Sequence, residues 1–95
     1  MMDSIKQADI VISTAGREKG KPFLVYAADE NHVFLVDGRY RKLEHPKCKN
    51  KKHVCFASKS DEWIEQKFKQ GDVTNRDIRS LLKALKDANA AAMQV

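Results

Sequence analysis

Residues 9–38 read DIVISTAGREKGKPFLVYAADENHVFLVDG, and the way this stretch divides decides the fold. ADIVIST at 8–14 is enriched in β-branched residues, with Ile10 and Ile12 on one face of an extended chain and Val11 on the other. PFLVYAA at 22–28 and HVFLV at 32–36 have the same character. Between them, Asp29 and Asn31 are turn formers whose side chains can bond nearby backbone. The segment predicts three strands, with Asp37 and Gly38 marking a further turn at its end.

The loop TAGREKGKPF at 14–23 invites comparison with a phosphate-binding P-loop. That motif needs four residues between its glycines, then lysine and a hydroxyl residue, and it opens a helix. Here only Arg17, Glu18 and Lys19 separate Gly16 from Gly20, Pro22 follows Lys21, and a strand comes next. What remains is a hairpin loop from which Arg17, Lys19 and Lys21 project, able to touch phosphates without reading bases.

Further along, RYRKL at 39–43 predicts a short fourth strand and HVCFA at 53–57 a fifth. EHPKCKNKK at 44–52 is polar, contains Pro46 and is expected to be irregular. Five short strands in so little chain imply a bent antiparallel sheet closed into a small SH3-like or OB-like barrel, because an open sheet of this size leaves exposed edges.

The pattern changes at Ser58. SKSDEWIEQKFKQG at 58–71 predicts a short helix, with Trp63, Ile64 and Phe68 on one face and Gly71 as its stop. Thr74 and Asp77 have capping-box spacing. After them Ile78, Leu81, Leu82 and Leu85 form the stripe of an amphipathic helix, with Arg79, Lys83 and Lys86 on its wet side. The stripe is expected to pack on Trp63, Phe68 and an outer face of the barrel. The organisation expected is a barrel over 1–57 and a helical appendage over 58–95.

The chain has 95 residues, 42% of them hydrophobic and 33% charged, as suits one small folded domain. No apolar run is long enough for a membrane span, and MMDSIKQADIVIST does not read as a signal peptide, so a cytoplasmic protein is expected. Cys48 and Cys55 are then reduced thiols. The formal net charge of +5 is unevenly placed. In residues 38–58, Arg39, Arg41, Lys42, Lys47, Lys49, Lys51 and Lys52 are opposed by Glu44 alone, whereas the rest of the chain is nearly balanced. Such a concentration is how an electrostatic footprint for a polyanion partner would be written, the alternative being a solvated surface loop kept charged for solubility. Tyr40, set between Arg39 and Arg41, adds a ring on which a base can stack.

His45, Cys48, His53 and Cys55 offer four zinc-ligand types, but they lack a paired C-x-x-C knuckle, and Cys55 is expected to face the core. No spacing forces a catalytic arrangement on His32, His45 or His53. No enzyme, metal or cofactor is expected.

The run DIVISTAGREKGKPFLVYAADENHVFLVDGRYRKLEHPKCKNKKHV at 9–54 resembles a KOW motif domain. It is similar to the barrel of the eukaryotic and archaeal large-subunit ribosomal protein fourteen family, and to the small KOW-containing RNA-binding proteins of Gram-positive bacteria. The matching features are the first two strands, Gly16 and Gly20 with Lys21, the turn at 29–31, and Leu35, Val36, Asp37 and Gly38. The resemblance covers about half the chain and implies an SH3-like barrel that binds RNA, usually ribosomal. It implies RNA contacts at Arg17, Lys19 and Lys21 and, more loosely, at Arg39, Arg41 and Lys42. The two helices depart from the minimal motif. The expectation is a noncatalytic RNA-binding protein; the alternative is an adapter for ribosomal or transcription-machinery proteins.

Overall fold

β-Branched and aromatic residues build the sheet, and two bulges bend it. A computed structural model of the chain describes residues 5–93. Its strands are β1 (Asp9–Ser13), β2 (Pro22–Ala28), β3 (His32–Val36), β4 (Lys47–Asn50) and β5 (Val54–Lys59), followed by helices α1 (Glu62–Gln70) and α2 (Asn75–Met93). One turn of 3-10 helix, Lys51–His53, joins β4 to β5. The strands form a single antiparallel sheet in the order β4-β3-β2-β1-β5. Pro22 opens β2, where its missing N–H costs no central ladder bond. The register shifts between Ile10 and Val11 against β5, and between Val25 and Ala27 against β3. Such irregularities raise local twist and coil the sheet.

Both faces of the sheet carry buried apolar clusters. Val11, Phe23, Val25, Val33, Leu35 and Val54 form one. On the opposite face Ile10, Leu24 and Val36 pack with Ile64 of α1 and Ile78, Leu81 and Leu82 of α2. Helices α1 and α2 therefore share a core with the sheet. Fully burying side chains such as Ile64 and Ile78 contributes about 1.5–3 kcal/mol each, enough to hold two short helices in place. The backbone amides of Asn31 and His32 donate to the Asp29 carboxylate at 2.9 and 2.7 Å, which makes the turn between β2 and β3. Gly71, at φ 74°, donates its N–H to the last carbonyls of α1 and ends it. The capping box at Thr74 and Asp77 is present in both directions, at 3.0 and 3.1 Å.

Five expectations need correction. The sheet is not closed, since β4 and β5 stand at its two edges. RYRKL is not a strand, because one oxygen of Asp37 accepts the amides of Arg39, Tyr40 and Arg41 at 2.8–2.9 Å and curls the chain into a turn. The fourth strand is instead KCKN, inside the segment expected to be irregular, held by pairing along β3. Trp63 and Cys55 point outward, Trp63 being 41% exposed. Among the strand aromatics, Phe23 is fully buried, while Tyr26 and Phe56 lie exposed. No helix among the described residues is long and apolar enough to cross a membrane.

Candidate nucleic-acid interface

The pairing of Leu24 with Val36 sets the start of β2 beside the end of β3. The loop at 14–21 and the turn at 37–41 consequently share one end of the sheet, and side chains join them. Arg41 Nε lies 3.2 Å from Glu18 Oε2. The Lys21 ammonium stands 5.3 Å from the centre of the Tyr40 ring, and the Arg39 guanidinium 5.5 Å from it. Exposed cation–π contacts of this kind contribute about 0.5–1 kcal/mol each, so they orient the ring without burying it. Tyr40 remains 72% exposed.

Helix α2 closes on the same turn. The Asn75 side chain accepts the Leu43 amide at 2.8 Å and donates to Glu44 at 3.1 Å. That second bond, with the nearby Lys42 and His45 charges, holds the Glu44 carboxyl below its ordinary range. Arg79 donates to the Gly38 carbonyl at 2.7 Å. Gly38 has no room for a side chain, since a Cβ there would run into the Asn75 carbonyl and lie 3.0 Å from Arg79 Cγ.

An open cleft of about 620 Å³ results, with Lys21 and Arg39 on the sheet side and Arg76, Arg79, Lys83 and Lys86 on the helix side. Its one acid, Asp37, already accepts three backbone amides. Lys83 is matched by Asp87 at 3.2 Å, in an exposed i,i+4 pair. Of the four helix cations, Arg79, Lys83 and Lys86 were legible as a polar stripe, while Arg76 was not singled out. What the stripe faces was not, because that depends on the close approach at Gly38.

The other cations singled out from the sequence are dispersed. Arg17, Lys19 and Lys42 are exposed around the same loops, and Lys47 is half-buried at the start of β4. Arg41 has its charge compensated by Glu18. Lys49 turns inward and donates to the Ala15 carbonyl at 2.9 Å, so it fastens the 14–21 loop instead of presenting its charge. Lys51 and Lys52 border a separate depression with Glu30, Asn31 and Phe56. Among the described residues, no three His, Cys, Asp or Glu side chains converge as a metal site would require.

Searches for relatives leave the chain without a family assignment: no family model matches it, and no curated protein does.

Proposed function

We propose that this chain is a noncatalytic RNA-binding protein of KOW type, with an SH3-like coiled sheet, that associates with ribosomal RNA in the cytoplasm. The observation carrying this reading is the exposed ring of Tyr40 with the cations Lys21 and Arg39 near it at the end of the sheet. Exposed aromatics among cations suit unstacked bases and phosphates together. The strand order, which sets β1 between β2 and β5 in a five-stranded antiparallel sheet, supports the SH3-like part of the reading. Binding would proceed by neutralising phosphates and releasing counterions, so its strength would fall with salt.

Sedimentation of the tagged protein from lysate tests this. Comigration with the large ribosomal subunit, lost at high salt and after nuclease, is the expected result; a protein that stays at the top of the gradient in every condition overturns ribosome association.

A second reading has its own observation. Phe56 on the edge strand β5 is 51% exposed, and Trp63 on α1 is exposed too, as an adapter that binds proteins would have them. A partner that stays attached after nuclease treatment favours it.

A further inference from the structure

We propose that α2 forms the second wall of the RNA site and that the cleft takes one unpaired strand. Its phosphates lie along Arg76, Arg79, Lys83 and Lys86, and one of its bases reaches past the edge of the cleft to Tyr40, which neighbours the lining cations Lys21 and Arg39. The inference rests on the RNA-binding reading above and names the form of RNA bound.

Three observations carry it. First, the cations of α2 fall at i, i+3, i+7 and i+10, which puts them on one face over about 15 Å of helix. That length can run beside several successive phosphates of one strand. Second, this face looks across the cleft at Lys21 and Arg39, and the two walls are fixed to each other by Arg79 on Gly38 and by Asn75 on Leu43 and Glu44. The two walls are thus set before any ligand arrives, which lowers the ordering cost of binding. Third, a concavity of about 620 Å³ is of small-ligand size. It has room for a few nucleotides of one strand, and the bases of a duplex would be hidden from Tyr40. The opposing acids are few: Asp37 is the one acid lining the cleft, and Asp87 holds Lys83 only in an exposed i,i+4 pair that a phosphate can displace at small cost.

The test is fluorescence anisotropy with two probes, a short labelled oligouridine and a short blunt RNA duplex, titrated over a range of salt. The helix variant combines Arg76→Gln, Lys83→Gln and Lys86→Gln. It leaves Arg79 in place because that residue bonds Gly38. Glutamine keeps helix propensity, and thermal melting checks that the variant folds. Loss of three phosphate contacts should weaken oligouridine binding on the order of 100-fold at 0.1 M salt and lower the salt slope by about 2. Tyr40→Ala should weaken it by about tenfold, while Tyr40→Phe restores it, as stacking requires.

Oligouridine bound no more tightly than the duplex overturns the single-strand inference. A folded helix variant that binds like the wild type, while Lys21→Gln weakens binding, removes α2 and leaves the RNA-binding reading standing. Failure of the wild type to bind either probe overturns both.

Discussion

Arg79 donates a 2.7 Å hydrogen bond to the carbonyl of Gly38, which joins the first turns of α2 to the turn that follows β3. The contact is possible because position 38 has no side chain and sits at φ +79°. Helix and turn therefore move as one unit, and the cationic cleft between them keeps its shape.

Gly38→Ala should accordingly be costly. The left-handed backbone alone costs about 1–2 kcal/mol for an L side chain, and the new Cβ would collide with the Asn75 carbonyl. A total loss of about 3 kcal/mol in urea unfolding is expected. Gly20, at φ +89°, has nothing within 4 Å of where a Cβ would stand. Gly20→Ala should lose only the backbone part, about 1–2 kcal/mol. Equal losses at the two positions would refute the close packing of α2 on the turn.

The start of α2 also sets an acid limit on stability. Burial raises the Asp77 carboxyl, but the Thr74 amide and hydroxyl and the Lys67 ammonium outweigh it and hold the group below its ordinary range. A carboxyl lowered in the folded state contributes stability that is fully present above its unfolded value, near about 3.9, and is lost as pH falls through the folded one. Melting temperature should therefore drop on acidification below about pH 5, and more steeply for the wild type than for Asp77→Asn. Thr74→Ala should cost about 1 kcal/mol at neutral pH.

Lys49 separates a structural cation from a binding one. Its bond to the Ala15 carbonyl ties β4 to the 14–21 loop, so Lys49→Ala should speed amide exchange in that loop about fivefold, for a contact contributing about 1 kcal/mol. Lys51→Ala and Lys52→Ala should leave loop exchange unchanged. Replacing Lys47, Lys49, Lys51 and Lys52 together with Ala should consequently loosen the loop as well as remove charge, and the single variants resolve the two effects.

Most of the sheet was readable because PFLVYAA and HVFLV are short apolar runs rich in β-branched and aromatic residues and bounded by turn residues; both strands have the bounds their sequences suggest. KCKN was hidden by Pro46 and by its own cations. Its extended form is imposed from outside, by the pairing of Lys47 with Leu35 and of Cys48 with Phe34. RYRKL misled in the opposite way. Tyr40 and Leu43 give it the look of a strand, but the Asp37 carboxylate gathers the amides a strand would have used. At the candidate site, Lys21, Arg39 and Tyr40 were picked out by charge and by an aromatic set among cations. Arg76, Lys83 and Lys86 could not be placed there, because nothing local in α2 says that its polar face meets a turn some forty residues earlier.

The salt dependence of affinity for purified large-subunit ribosomal RNA tests the proposed function most directly. With Lys21 and Arg39 on one wall of the cleft and four cations on the other, log K should fall linearly with log salt at a slope of about −4, and Lys21→Gln with Arg39→Gln should reduce that slope by about 1.5. Binding that is absent at low salt, or a slope near zero that the double variant does not change, would contradict RNA recognition by this surface.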